Sequence, residues 1–235
     1  MARSLIDCVK YTDLSRSHHV AFWNLVQSKL PEGFLENSGE GGSLWLSAVP
    51  PKEPLKSTEK TLKVPWFSQL DSATAHGRRM CFSSSCAMLV EYMHPGTLRG
   101  PNGDDQYLQR VEKFGDTTNP IAQIQALQSY EVSAEYVRDA DFSVIEQQID
   151  AGFPVPCGYL HRGHISAPKG SGHWLTVVGY TKDSVVVHDP FGELDLINGV
   201  FHANAAHYAH YSRKNFGKRW MVEGPKTGWA IIAKR

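Results

Sequence analysis

His173-Trp174-Leu175-Thr176-Val177-Val178-Gly179-Tyr180, then Thr181-Lys182-Asp183, then Ser184-Val185-Val186-Val187-His188-Asp189 form the stretch on which the fold turns. Two runs rich in β-branched residues flank a short polar segment, the pattern of an antiparallel hairpin. Strand side chains alternate between faces, so the loop length decides which residues share one. A three-residue loop, Thr181-Lys182-Asp183, pairs Tyr180 with Ser184 and sets Asp189 opposite Leu175, on the face of His173. A two-residue turn, Lys182-Asp183, pairs Tyr180 with Val185 and sends Asp189 to the other face. For His173 and Asp189 to meet, the chain needs the odd loop or a compensating bulge.

Working outward, Val155–Leu160 and Trp229–Ala233 carry further strand signals. Before them the pattern is helical. Phe82, Cys86, Leu89, Val90 and Met93 form a stripe closed by Pro95-Gly96. Leu108, Val111 and Phe114 predict a second helix capped by Asp104 or Asp105. Pro120 opens a third, with Ile121, Ile124 and Leu127 on one face. Asp141 caps a fourth, bearing Phe142, Ile145 and Ile149 and ending at Gly152. Helices first and antiparallel strands later give an α+β domain, with the helices packed on the sheet. Upstream, Phe22, Leu25, Val26 and Leu30 fit a small helix over 13–30. A Gly-rich stretch from Asn37 to Gly42 and Pro50, Pro51 and Pro54 then lead through a charged arm to Lys63. Two parts are expected: an N-terminal helical segment and linker over 1–60, a targeting or accessory module, and a larger domain over 61–235.

Lys and Arg number 24 and Asp and Glu number 24 in 235 residues, so there is no basic excess of the kind a nucleic-acid partner requires. No apolar run is long enough to span a bilayer. Charge interrupts the first residues before an apolar stretch forms, so no signal peptide is read and synthesis in a cytoplasm is expected. Four cysteines, Cys8, Cys81, Cys86 and Cys157, are too scattered for a disulfide scaffold, and reduced thiols are expected. The oligomeric state leaves no signal.

Cys81 stands at the start of the first predicted helix, where the helix dipole favours a thiolate. Cys86 belongs to the apolar stripe and reads as core. His173 begins a strand after Lys169-Gly170-Ser171-Gly172, and Asp189 ends the next strand before Pro190. A base that activates a thiol needs an acceptor on its other ring nitrogen, and this pair can supply both. Cys157, His161 and His164, with Cys86 or His173 as a fourth, are candidate zinc ligands by type, but their spacing matches no common zinc pattern. Asn102-Gly103-Asp104-Asp105 lacks the alternating ligands of a calcium loop. No metal or cofactor is expected.

In this order, Ser68-Gln69-x-Asp71, Cys81-x-x-Ser84-Ser85-x-Ala87-Met88, Gly172-His173-Trp174 with Gly179-Tyr180, and Val187-His188-Asp189-Pro190-Phe191-Gly192 resemble the papain-like cysteine peptidases. The similarity is to the branch related to the double-glycine leader peptidases of bacteriocin exporters, and it covers about residues 64–192. It implies a papain-like fold with Cys81 as nucleophile, His173 as general base and acid, and Asp189 orienting the imidazole. It also implies that Gln69 and the Cys81 backbone N–H hold the oxyanion. Phe82 replaces the Gly or Asn that many relatives carry after the nucleophile, and is expected to narrow the cleft. No transporter domain follows, so export-coupled leader processing is not expected. Similar stand-alone sequences include wall-lytic peptidases of phages and cyanobacteria. The expected function is therefore cysteine-peptidase cleavage through a thioester, with peptidoglycan peptides as substrate, as in an endolysin. Transfer of the acyl group to an amine, as in transglutaminase-like enzymes, and a non-catalytic binding protein are the alternatives.

Overall fold

The computed structural model describes residues 59–203 and 205–234. The expected helix over 13–30 and the Gly- and Pro-rich stretch after it lie outside these residues. A short strand, β1 (Lys60–Thr61), comes first, followed by helices α1 (Cys81–Met93), α2 (Gly103–Val111) and α3 (Pro120–Ser129). Strand β2 (Ala134–Ala140) and helix α4 (Phe142–Ala151) come next. Then follow β3 (Val155–Tyr159), β4 (His173–Tyr180), β5 (Ser184–Asp189), β6 (Glu193–Asp195), β7 (Val200–Ala203) and β8 (Ala206–Ser212). Helix α5 (Arg213–Trp220) and β9 (Gly228–Ala233) complete the domain. The fold is α+β: a wholly antiparallel sheet in the order β2-β9-β3-β4-β5-β8, with β1 also on β4, carries the helices. Strands β6 and β7 form a separate hairpin.

The expected cap holds at α4, and Pro120 opens α3 as expected. Asp141 accepts from the backbone N–H groups of Ser143 and Val144, and Gly152 ends α4 in the left-handed region at φ 90°. Asn119 caps α3, with Pro120 at its first position. At α2 the expectation is corrected. Asn102 occupies the cap position, and the two aspartates lie in the first turn and reach elsewhere. Asp104 accepts from Ser84 Oγ of α1 at 2.6 Å, and Asp105 accepts from the Ser72 hydroxyl and the Ala73 N–H. Phe114 lies beyond α2 and is exposed, as is Ile121, so neither belongs to the core face predicted for it. The charged arm read as linker to Lys63 ends earlier, because Lys60 and Thr61 pair with Tyr180 and Gly179. That approach requires glycine: a Cβ at Gly179 would lie 2.5 Å from the Lys60 carbonyl oxygen.

The decisive hairpin takes the second of its two routes. The backbone N–H of Thr181 donates to Ser184 O at 2.8 Å, which closes a two-residue Lys182-Asp183 turn, not the three-residue loop. Tyr180 accordingly pairs with Val185, and Gly179 with Val186. The register then shifts between Val177 and Gly179, and Thr176 pairs with His188. This bulge consumes one residue and returns Asp189 to the face of His173.

Cys86, Leu89, Val155, Cys157, Leu175, Val177, Val187 and Ile231 are fully buried in the hydrophobic core. The core role expected for Cys86 is the one it has: burial pushes its thiol far up, against a hydrogen bond with Tyr107. Among the described residues no helix is long and apolar enough to cross a membrane.

Candidate active site

Cys81 is the first residue of α1, so its backbone N–H has no acceptor within the helix. The helix is held by polar contacts along its buried side. Ser83 Oγ meets Thr117 Oγ1 at 2.7 Å and accepts from Gln123 Nε2 at 2.9 Å, while Ser84 is bound to Asp104. On the sheet, Thr176 Oγ1 donates to Ser85 O, and the Trp174 indole stacks on Phe82 with centroids 3.5 Å apart and planes 3° from parallel. Phe82 is thus a buried partner of Trp174, and both rings contribute to the wall of the cleft. A Cβ at Gly158 would lie 2.8 Å from the indole, so glycine there makes room for the stack.

His173, at the first position of β4, faces away from Thr176 and is 5% exposed. Its Nε2 is 2.7 Å from Asp189 Oδ1, which leaves Nδ1 for the Cys81 thiol, with which the ring shares a hydrogen bond. Burial alone would lower the imidazole pKa, but the charges of Asp189 and Cys81 outweigh it and raise the value to about 10. Asp189 is wholly buried, and each oxygen is occupied. Oδ1 also accepts from the backbone N–H of Phe191 at 2.9 Å, and Oδ2 accepts from Tyr159 Oη at 2.8 Å. Burial and the neighbouring Asp189 push the Tyr159 hydroxyl well above its ordinary range, which keeps it a donor.

The segment before α1 is tied to the same point. Trp66 Nε1 donates to Asp189 O at 3.2 Å and Gln69 N to Pro190 O at 2.9 Å. Gln69 is buried, its Nε2 donates to Gly77 O at 2.7 Å, and Oε1 has no hydrogen-bond partner. One hydrogen of that amide is therefore engaged and the second is left. Cys81 and His173 line a cleft of about 790 Å³, together with the rings of Tyr136, Trp174, Trp229, Phe191 and Phe201. Phe201, from the β6–β7 hairpin, meets the His173 ring edge-on at 5.4 Å.

Of the predicted residues, Cys81, His173 and Asp189 are brought together, while Gln69 is bound through its backbone to Pro190, the neighbour of Asp189, and through its side chain to Gly77. The candidate zinc ligands have other surroundings. Cys157 is buried in β3 opposite Leu175, His161 Nε2 accepts from Arg162 Nε, and His164 Nδ1 meets Ser166 Oγ at 2.8 Å. Among the described residues no group of three or more His, Cys, Asp and Glu side chains is placed to hold a metal ion. Two residues escape the sequence reading. Tyr159 pairs with His173 across β3 and β4, a relation visible only once those strands are paired. Arg219 is buried and donates to the carbonyls of Leu196, Leu160, Arg162, Gly163 and Ile197, binding the loop after β3 to the segment leading into β7. Its neighbours in sequence, Lys218 and Trp220, give no sign of that burial.

Among solved structures, the chain is similar to a C39-like peptidase from Bacillus anthracis at 15% identity and a TM-score of 0.53, covering 75% of this chain and 98% of that one. A double glycine motif protease from a transporter, solved in complex with the leader peptide, aligns at 16% identity and a TM-score of 0.44, covering 74% and 93% of the two chains. A cysteine protease of Carica candamarcensis aligns at 15% identity and a TM-score of 0.44, covering 76% and 98%. No curated protein sequence matches. The profile of the Peptidase_C39 like family matches residues 61–223, the stretch that holds Gln69, Cys81, His173 and Asp189. The chain belongs to the Peptidase_C39 like family of cysteine peptidases and has the papain-like fold.

Proposed function

We propose that the chain hydrolyses peptide bonds with Cys81 as nucleophile, and that its substrate is the peptide part of peptidoglycan, reached after synthesis in a cytoplasm and release to the wall. The observation that carries the first part is the chain of contacts from Cys81 to His173 to the buried Asp189, 2.7 Å from the imidazole, at the back of an open cleft. The raised pKa of His173 favours an imidazolium beside a thiolate, the reactive form of such a pair. The thiolate attacks the scissile carbonyl, and the tetrahedral oxyanion accepts from the Cys81 backbone N–H and the second amide hydrogen of Gln69. A donor of this kind is worth about 3–4 kcal/mol of barrier. His173 gives its Nδ1 proton to the leaving amine, which departs and leaves a thioester. The neutral imidazole then takes a proton from water as it attacks, and thiolate and imidazolium are restored with release of the acid. Asp189 keeps Nε2 protonated and the ring aligned throughout, and Tyr159 holds Asp189 from behind.

The similarity of the motifs to stand-alone wall-lytic peptidases supports peptidoglycan as substrate. The test is digestion of purified cell walls and defined muropeptides, with products read by mass spectrometry, beside Cys81→Ala. Fragments gaining one water at a peptide bond, absent with the variant, are expected. Cleavage of unrelated peptides with walls untouched would reject the substrate but keep the peptidase. Equal product from Cys81→Ala would reject both.

A further inference from the structure

The cleft has an unusual charge balance for a chain with equal numbers of acidic and basic residues: three arginines line it and no aspartate or glutamate does. The three are not equivalent. Arg79 is neutralised by Asp116, with both guanidinium nitrogens 3.0 Å from the carboxylate oxygens. Arg162 is fixed in a different way. Its Nε donates to His161 Nε2 at 3.2 Å, and the His161 ring lies 5.4 Å from that of His173. Burial, the His173 charge and Arg162 itself hold the His161 pKa down to about 4, so the acceptor is neutral. The guanidinium is thus oriented without losing its charge. Its backbone is pinned as well, by paired hydrogen bonds with Lys169 and by Arg219 Nη1 on its carbonyl. Arg78, exposed and also lining the cleft, adds a second cation with no carboxylate partner among the described residues.

We infer that the cleft recognises a carboxylate on the peptide it cuts, close to the scissile bond, through the guanidinium of Arg162 with Arg78 as a second cation. An oriented guanidinium with free N–H groups pairs with a carboxylate through charge-assisted, often bidentate, hydrogen bonds. This deepens the peptidase reading and rests on it for the position of the bond cut. Two sources share the chemistry: an acidic side chain within the peptide, and the free α-carboxylate at a chain end, both present in wall peptides.

The experiment uses the full chain and two arms of matched fluorogenic peptides. In one arm each position flanking the bond carries Glu or Gln in turn; in the other the peptide ends in a free acid or an amide. At one position of one arm, the acid is expected to be preferred about tenfold in kcat/KM, equivalent to about 1.4 kcal/mol. The preference should weaken with added salt, fall towards one in Arg162→Gln and fall by a smaller factor in Arg162→Lys, which keeps the charge but loses the guanidinium fork. Binding of the same peptides to the Cys81→Ala chain, followed by fluorescence anisotropy, reads the preference without turnover. Preference in binding with no turnover by the wild type would retain the subsite and reject the peptidase. Turnover with acid and amide treated alike in both arms, or a preference untouched by Arg162→Gln, would overturn the subsite and leave the peptidase standing.

Discussion

Replacing Asp189 by asparagine keeps the side-chain volume and removes one negative charge from a fully buried position. The hydrogen bonds can survive the change. The amide oxygen still accepts from His173 Nε2 and the Phe191 N–H, and the Tyr159 hydroxyl can turn to accept from the amide nitrogen. What is lost is the attraction between carboxylate and imidazolium. With an N···O contact of 2.7 Å the charge centres are about 4 Å apart, worth about 4 kcal/mol at an effective dielectric constant of about 20. At about 1.4 kcal/mol per pH unit, the midpoint of His173 should drop by about three pH units, from about 10 to about 7. The assay is NMR titration of the imidazole in 13C-histidine protein, beside the pH profile of Cys81 alkylation. Stability should follow with a definite sign. A histidine raised in the folded state stabilises it fully below the unfolded value of about 6.5, and that contribution fades as pH rises through about 10. The wild type should therefore exceed Asp189→Asn in stability at pH 6, and the gap should narrow towards pH 10. A midpoint that moves by less than about one pH unit would refute the claim that Asp189 governs the charge on His173.

Other substitutions test the frame around the site. Arg219→Met strips five backbone carbonyls of their donor and should cost at least about 3 kcal/mol in urea unfolding while loosening the wall that carries Arg162; a loss under about 1 kcal/mol would show the clamp to be idle. Gly158→Ala puts a methyl 2.8 Å from the Trp174 indole and should cost about 1–3 kcal/mol with a change in tryptophan fluorescence; an unchanged spectrum and midpoint would contradict the stacking argument. Burial raises the Asp104 pKa to about 7 despite the Ser84 hydrogen bond, so the folded state holds this proton more tightly than the unfolded chain. Stability should fall as pH climbs from about 4 to about 7, and Asp104→Asn should flatten that decline; identical pH profiles would remove the assignment.

The parts of the fold legible in sequence are those whose side chains face one way. Helices α1, α3 and α4 carry apolar stripes or capping residues, and β3, β4 and β5 are almost wholly buried. Strand β2 escapes because it is an edge strand, partly exposed over most of its length, so Ala134–Ala140 shows no clean alternation. Strand β8 buries only Ala206 and Tyr211, and its histidines and tyrosines obscure the period. Helix α5 gives no sequence signal, with Gly217 near its centre and four basic residues, yet it buries Phe216, Arg219 and Trp220. At the site, residue types and order point to Cys81, His173 and Asp189, but their geometry depends on a bulge that no local propensity announces. Without the shift between Val177 and Gly179, the two-residue turn would put Asp189 on the wrong face. Tyr159 and Arg162 become functional candidates only through what they touch.

Every proposed step of the chemistry depends on the thiol at the start of α1. Iodoacetamide labelling of the full chain at pH 7, with each cysteine followed by peptide mass spectrometry, tests it in one measurement. Cys86 and Cys157 are wholly buried, and burial pushes both thiols upward, so they should stay unlabelled in the native protein. Cys81 should react at least about tenfold faster than a free cysteine, whose thiolate is only a few per cent at this pH, and peptidase activity should vanish in step. Labelling of Cys81 at the rate of a free cysteine, or full activity after its complete alkylation, would contradict the claim that Cys81, His173 and Asp189 act as one catalytic unit.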